Sequence, residues 1–312
     1  MKLLVTYPET SNDGFNYIYD RITKRLQQKY PELSIERYDS TELIHNILVY
    51  SYGGGSCYPI VNLDNNKCSI LSFADHTGVH LYAGHGFDHL KIVEIFGCMR
   101  WDDEVHTPEE ISAKHNISYR AFQRPAAFGD AHEYSEKNRI PYDPTKRIRK
   151  AVYAGSQLPE RINIFEYLRK HPLFHIHGGY IPRYDYYNMM NEYAMFVSLN
   201  GVGEVTDKDY DVMRMGSVLL RSDLKTTLYK PLIPDFHFLK GSVASPRAAA
   251  YYNPYTFKEI AEQFIDTVEK TMYDDDLLTE IAINGHNYYL ENCQYDILVD
   301  RFIDMFDPEI LR

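Results

Sequence analysis

Two glycines and a lysine in the second half of the chain have the types and spacing of an anion-binding segment. Residues 197–220 read VSLNGVGEVTDKDYDVMRMGSVLL, in which Gly201 and Gly203 permit close approach of a ligand to the backbone. Lys208 stands at the start of the next predicted helix, where the helix N-terminus already favours negative charge. The pattern favours a site for a phosphorylated ligand; a glycine turn before a solvated helix is the alternative.

Further residues of the second half would complete such a site. Gly155 and Ser156 follow a predicted strand and precede a helix, so backbone N–H groups there could hold a phosphate oxygen. Arg161 lies early in that helix and could supply a second cation. Glu204 and Asp207 could accept hydrogen bonds from the hydroxyl groups of a sugar or ribose, although Asp207 is equally suited to cap the helix.

A carboxylate in the first half has the position of a general base. Asp75 follows the apolar run ILSF and is expected at the carboxyl end of a strand, where it could take a proton from a hydroxyl group. A turn that begins at Asp75 and leads to Gly78 is the alternative. His76, His85 and Asp88 follow in the same part of the sequence and are further candidates to line a cleft.

The spacing of the remaining motifs argues against several other chemistries. No GxGxxG follows the first strand and no GxxxxGK[ST] occurs, which disfavours hydride transfer and P-loop chemistry. The 13 histidines include no HExxH, so neither a metal site nor a cofactor is predicted. The four cysteines show no CxxC spacing and are expected to be free thiols: Cys57, Cys68, Cys98 and Cys293.

Strands and helices are predicted to alternate around the candidate residues. Over residues 150–225 the alternation is regular, which indicates a doubly wound α/β domain. In the first half, KLLVTY and LSIERYD read as strands on either side of an amphipathic helix, the start of a parallel sheet. YPIVNLDNNKCSILSF contains two β-prone runs, arranged as a hairpin or as a strand and a crossover, and GFDHLKIVEIF predicts a helix.

The fold class predicted from this pattern is α/β, with two Rossmann-like domains that face a cleft. The first domain is expected over residues 1–147 and the second over 148–292, with a C-terminal helix in 293–312 that crosses back to the first domain. In open parallel sheets, ligands bind beyond the carboxyl ends of the strands. The candidate residues follow predicted strands and are therefore expected at such ends.

Composition limits the classes of partner. The net charge of −11, from 44 acidic and 33 basic residues, argues against general affinity for nucleic acid or an anionic membrane surface. The 28 tyrosines suit stacking on sugars or bases, with compositional bias as the alternative. No stretch approaches the roughly 18 apolar residues of a membrane span, and the apolar run at the start is too short for a signal sequence. A cytoplasmic protein is predicted. The sequence makes no prediction about the oligomeric state.

Two motifs of the second half resemble the nucleotide-sugar domain of GT-B-fold glycosyltransferases. They are similar to those of the protein O-glucosyltransferase/capsule-associated family and, more distantly, of the exostosin-like transferases. AVYAGSQLPER matches a strand, a Gly-Ser turn and an Arg, here Arg161, but places Ala154 where the family has an Arg. NGVGEVTDKDYDVMRMGSVLL matches the donor-phosphate motif, with Lys208 eight residues before Gly216 at the position of the family's Arg. The resemblance covers residues 148–292; in the first half it rests on CSILSFADHT.

The resemblance implies a glycosyltransferase that moves a hexose or pentose, with inversion and without a bound metal, from a nucleotide sugar such as a UDP-sugar. It implies an acceptor-side first domain with Asp75 as base and a second domain that binds the donor. The acceptor would be a glycan or protein in bacterial or virus-infected host cytoplasm. The alternatives are a metal-dependent hydrolase or other nucleotide-sugar enzyme, and a non-catalytic nucleotide-sugar-binding protein.

Overall fold

The computed structural model describes residues 1–6, 13–38, 57–72, 91–97, 99–100, 107–123, 129–155, 158–199, 205–224, 226–244 and 255–312. These residues form two compact units. The first unit contains Met1–Gly129, Lys225–Pro231 and Asn292–Arg312, and the second contains Asp130–Leu224 and Leu232–Glu291. The boundary predicted from the sequence lies after residue 147. Within the described ranges, no helix combines the length and the apolar character needed to cross a membrane.

The strands and helices alternate along most of the chain. In chain order they are β1 (Lys2–Thr6), α1 (Asp13–Lys29), β2 (Ser34–Tyr38), β3 (Cys57–Asn62), β4 (Lys67–Ser72), β5 (Lys91–Gly97), β6 (Met99–Arg100), α2 (Pro108–His115), β7 (Ser118–Ala121), α3 (Gly129–Asn138), β8 (Ile148–Tyr153), α4 (Pro159–Leu168), β9 (Phe174–Ile176), α5 (Arg183–Glu192), β10 (Tyr193–Ser198), α6 (Asp207–Arg214), β11 (Val218–Ser222), β12 (Thr226–Thr227), β13 (Leu239–Ser242), α7 (Phe257–Thr271), α8 (Asp275–Asn292) and α9 (Tyr295–Met305).

The first unit is built on a six-stranded mixed sheet in the order β2-β1-β3-β4-β5-β7. Strand β1 pairs in parallel with β2, as the strand–helix–strand start predicts, and antiparallel with β3 on its other side. Strands β3 and β4 are antiparallel and form the hairpin, one of the two arrangements that the sequence left open. Asn66 in the connecting turn has a φ of 55°, a left-handed conformation that Asn tolerates better than most residues.

Strand β5 corrects one prediction, because GFDHLKIVEIF was expected to be helical. Its residues 91–97 lie between β4 and β7 with parallel pairing on both sides. The β-branched side chains of Val93 and Ile95 favour a strand. Glu94 interrupts the apolar run, yet its buried carboxylate lies 2.9 Å from the Nε atom of Arg120 on β7. Burial raises the pKa of Glu94 even with Arg120 beside it.

The C-terminal helix α9 belongs to the first unit and packs on α1. Three ion pairs advance by one helical turn along both helices, so the helices run in parallel: Arg21–Asp296 at 2.8 Å, Arg25–Asp300 at 2.8 Å and Lys29–Asp304 at 3.8 Å. Such partly exposed pairs contribute little to stability. The larger contribution comes from the apolar side chains of the two helices that are buried in the core of this unit: Ile18, Ile22, Leu26, Leu298 and Phe302.

The second unit contains a five-stranded sheet in the order β13-β11-β10-β8-β9, in which all neighbours are parallel. Strand β10 lies at its centre, and residues 194–198 of that strand are buried, as expected for a parallel sheet covered on both faces. Residues 130–147 belong to this unit: Tyr134 stacks on Tyr187 of α5, with ring centroids 5.5 Å apart. The regular alternation predicted for residues 150–225 is present here.

Candidate anion-binding site

The candidate residues that the structure describes lie near the carboxyl ends of β8 and β10. These strands are parallel neighbours in the second sheet. Gly155 follows β8 by two residues and has a φ of 148°, a conformation that residues with a Cβ rarely adopt. Arg161 belongs to α4, which follows β8, and Lys208 belongs to α6, which follows β10. Open parallel sheets bind their ligands at such carboxyl ends of neighbouring strands.

Arg161 is fixed on the ends of both strands. Its guanidinium donates one hydrogen bond to the hydroxyl oxygen of Tyr153, at 3.2 Å, and another to the carbonyl oxygen of Leu199, at 2.8 Å. Tyr153 is the last residue of β8, and Leu199 directly follows β10. Arg161 is itself buried. Both named acceptors are neutral, so these two contacts hold the guanidinium in place without cancelling its charge.

The amine of Lys208 is the most unusual feature of the site. Although part of the residue is exposed, its Nζ atom is buried and has no hydrogen-bond partner among the described residues. Nζ lies 3.8 Å from the ring centroid of Tyr153 and 6.0 Å from that of Phe196. A buried amine without an acceptor destabilises the fold. Burial, and then the charge of Arg161, lower the pKa of Lys208 well below its ordinary value.

The two buried carboxylates closest to Lys208 in sequence are held by other cations. Asp209 accepts a hydrogen bond from Arg221 of β11 at 2.7 Å, and both side chains are fully buried. Asp211 lies 2.5 Å from Arg214; burial raises the pKa of Asp211 to about 7 in spite of that arginine. Helix α6 therefore places Lys208 one and three residues before two buried acids without an ion pair to either among the described contacts.

The start of α6 differs from the predicted alternatives. The N-cap is Thr206, and Asp209 completes a capping box by accepting a hydrogen bond from the Thr206 backbone N–H at 2.7 Å. Asp207, which the sequence offered as a cap, occupies the first helical position instead. Because Asp207 and Asp209 add negative charge to this first turn, the attraction for an anion comes from the Lys208 side chain. The N-terminus of α4 is different: its N-cap, Leu158, makes no side-chain capping bond.

Sequence reasoning missed Tyr153, Asp209 and Arg221 as parts of the site. Tyr153 contacts both cations, through its hydroxyl group and its ring face. Arg221 reads as the polar end of an apolar strand, but its partner is Asp209, twelve residues earlier. The signal available in the sequence was the charge pattern DKDYD followed by an arginine in the next strand.

Several predicted site residues lie outside the described residues: Asp75, His76, His85, Asp88, Ser156, Gly201, Gly203 and Glu204. Their roles stay predictions. Within the part of the chain that the structure describes, no group of three or more His, Cys, Asp or Glu side chains could hold a metal ion. Cys68 and Cys293 are buried free thiols.

A substitution at Gly155 tests the geometry of the site. A Cβ atom there would lie 2.7 Å from Nζ of Lys208 and 3.3 Å from the Tyr153 hydroxyl oxygen. We expect Gly155→Ala to lower the free energy of unfolding by about 1–3 kcal/mol, through backbone strain and overpacking, and to weaken the binding of inorganic pyrophosphate. Denaturant unfolding and calorimetry measure the two effects.

Gly179→Ala is the matched control for this substitution. Gly179 also has a left-handed φ, of 99°, but a Cβ there would meet no described atom within 4 Å. The Gly179→Ala protein should be less stable because of backbone strain alone, and it should bind pyrophosphate like the wild type. Unchanged pyrophosphate binding in Gly155→Ala would contradict the assigned geometry.

Comparisons with known proteins identify the fold. No family model matches the sequence, and no curated protein matches it. A crystal structure of a glycosyltransferase from Rickettsia africae ESF-5 aligns over 100% of this chain and 99% of its own, with 10% identity and a TM-score of 0.50. The chain therefore shares the fold of that glycosyltransferase, and the predicted α/β class is confirmed.

Two other solved structures align less closely. WaaG, a glycosyltransferase involved in lipopolysaccharide biosynthesis, aligns over 96% of this chain and 97% of its own, with 9% identity and a TM-score of 0.46. TarM aligns over 83% of this chain and 66% of its own, with 9% identity and a TM-score of 0.42.

Proposed function

We propose that this protein is a glycosyltransferase that moves a sugar from a nucleotide-sugar donor to a hydroxyl group of an acceptor. The observation that carries the proposal is the buried amine of Lys208. Arg161 lies beside the Lys208 amine, and among the described residues no carboxylate is hydrogen-bonded to its Nζ atom. In a low-dielectric place, an ammonium group next to a guanidinium is stable only with an anion between or beside them. A diphosphate supplies that charge, and the shared fold with a glycosyltransferase supports a sugar diphosphate.

The two cations would act on the leaving group of the donor. As the bond between the sugar and the diphosphate breaks, negative charge builds up on the oxygen of the terminal phosphate. Lys208 and Arg161, preorganised and buried, stabilise this charge more effectively than water does. Because they take the part that a divalent cation plays in other phosphate sites, we propose a reaction that does not depend on a metal.

Gly155 and α4 would contribute the backbone part of the site. Gly155 leaves room for Nζ of Lys208, because a Cβ would fill that space. The α4 N-terminus has no side-chain cap, so it offers partial positive charge to a phosphate oxygen. Gly201, Gly203 and Glu204 precede α6, and we propose contacts between that segment and the donor.

The acceptor side of the reaction is proposed for the first unit. Asp75 follows β4 by three residues, and we propose that its carboxylate takes the proton of the acceptor hydroxyl, with inversion at the sugar carbon. The proposed donor is a UDP-sugar carrying a hexose or pentose, and the acceptor is a glycan or protein. The motifs around Arg161 and Lys208 support kinship with the protein O-glucosyltransferase/capsule-associated family.

A thermal-shift screen of nucleotide sugars tests the proposal. UDP-glucose, UDP-xylose and GDP-sugars are added to the purified protein, since a ligand that binds only the native state raises the unfolding temperature. We expect at least one nucleotide sugar to shift the transition and to be turned over, with release of the nucleoside diphosphate. No shift with any of them would reject the donor site.

Two further outcomes of the screen would point elsewhere. Binding without release of sugar to any acceptor or to water would indicate a non-catalytic nucleotide-sugar-binding protein. Stoichiometric metal in the purified protein, with loss of activity on chelation, would instead favour a metal-dependent hydrolase.

A further inference from the structure

The charged groups around Lys208 leave its amine in an unfavourable place for a positive charge. From α4 it faces Arg161, a like charge, and from β8 it faces the ring of Tyr153. From its own helix the carboxylates of Asp209 and Asp211 act on it, and each attracts it more weakly than Arg161 repels it. Burial is the largest contribution, since it removes the water that would otherwise solvate an ammonium group.

The nearby acidic and phenolic groups, which could compensate a positive charge on Lys208, are paired with other partners or are neutral. Asp209 is paired with Arg221 at 2.7 Å and Asp211 with Arg214 at 2.5 Å. Burial raises the pKa of the Tyr153 hydroxyl, and it raises that of Tyr186 on α5 far more, so both phenols stay uncharged at neutral pH. Phe196 of β10 offers an apolar ring. The described surroundings of Nζ thus hold no uncommitted negative charge.

We propose that Lys208 is an uncharged amine while the site is empty and takes one proton from solvent when an anionic ligand binds, so that donor binding is coupled to protonation. The inference rests on the proposed donor site and adds a regulating step to it. The amine lone pair binds the proton, and the ammonium group so formed donates hydrogen bonds to phosphate oxygens. The negative charge of the ligand then offsets the repulsion between this ammonium group and the guanidinium of Arg161.

The sign of the pH dependence follows from linkage. The pKa of Lys208 is lowered in the empty protein and rises when a phosphate lies beside it. Between these two pKa values the bound state holds one proton more than the free state. Affinity for the anion therefore falls as pH rises through this window, by up to about tenfold per pH unit. Below the window, Lys208 is charged in both states and affinity no longer depends on this proton.

Isothermal titration calorimetry counts the proton directly. The probe is whichever nucleoside diphosphate among UDP, GDP, ADP, CDP and dTDP binds most tightly to the full chain. Titrations run in two buffers of different ionisation enthalpy, above about pH 7.5, because the last proton of a terminal phosphate leaves near about pH 6. The expected result is uptake of close to one proton per bound ligand, with affinity that decreases towards higher pH.

Two variants at Lys208 and one elsewhere complete the test. Lys208→Arg keeps the charge permanently and should bind without proton uptake, and Lys208→Met should bind more weakly and also without uptake. Lys258→Arg, at an exposed lysine of α7, should behave like the wild type. Binding by the wild type without proton uptake, or uptake that persists in both Lys208 variants, would overturn the inference and leave the donor site standing. Failure of every nucleoside diphosphate to bind would instead reject the donor site, and the inference with it.

Discussion

Lys208→Met should lower kcat/KM for the nucleotide-sugar donor by about 10²–10³-fold, the effect of removing one preorganised donor from a transition-state charge. The same substitution should make the ligand-free protein more stable. Methionine fits an apolar pocket and has no amine to leave without a hydrogen-bond acceptor, so the free energy of unfolding should rise by about 1–3 kcal/mol. Steady-state kinetics and denaturant unfolding measure the two changes on one preparation.

The opposite signs of these two effects distinguish a ligand-binding lysine from a structural one. If Lys208 served only to hold α6 in place, its loss would lower both stability and activity. Lys258→Met is a control, since Lys258 is exposed and pairs with Glu262 on the same helix at 3.5 Å. It should change neither quantity appreciably. A less stable Lys208→Met protein, or unaltered donor kinetics, would refute the role assigned to Lys208.

Asp75→Asn should lower kcat by about 10²–10⁴-fold, the usual contribution of a general base. The amide keeps the size of the carboxylate but cannot accept the acceptor proton, so chemistry slows while the donor still binds. Transfer kinetics give kcat, and calorimetry with the nucleoside diphosphate gives the affinity, which should be unchanged.

Asp64→Asn is the matched control for that substitution. Asp64 is an exposed acid in the β3–β4 turn, on the same part of the chain as Asp75. Its amide variant should transfer sugar at the wild-type rate. If Asp75→Asn also transfers at nearly the wild-type rate, Asp75 is not the base, and another group of the first unit must be sought.

The local pattern of the sequence predicted the second unit better than the first. Between residues 150 and 225, apolar runs bounded by turn residues correspond to strands, and the alternation with helices restricts the sheet to parallel pairing. In the first unit, β5 was predicted as a helix because a short apolar run with one charge satisfies both periods. In the sheet, Glu94 is paired with Arg120 of β7, and a contact between two strands cannot be predicted from the local pattern.

The candidate site was partly predictable for a similar reason. The positions of Arg161 and Lys208 follow from strand ends, and both lie where parallel sheets bind ligands. The burial of Lys208 was not predictable, because a lysine in a first helical turn usually extends into solvent. Its burial depends on Tyr153 and Phe196, from two different strands, whose rings approach Nζ.

The conflict between stability and chemistry is concentrated at Lys208. Elsewhere in α6 the buried charges are matched, Asp209 with Arg221 and Asp211 with Arg214. The Lys208 amine, in contrast, has no acceptor among the described residues, and such a costly local violation is expected at functional positions.

A crystal structure of the protein with the tightest-binding nucleoside diphosphate shows whether Lys208 binds the donor phosphate. We expect a phosphate oxygen at about 2.7–3.2 Å from Nζ of Lys208, beside Gly155 and within reach of Arg161. A diphosphate bound away from the carboxyl ends of β8 and β10, or one that leaves the Lys208 amine without a phosphate oxygen, would contradict this expectation.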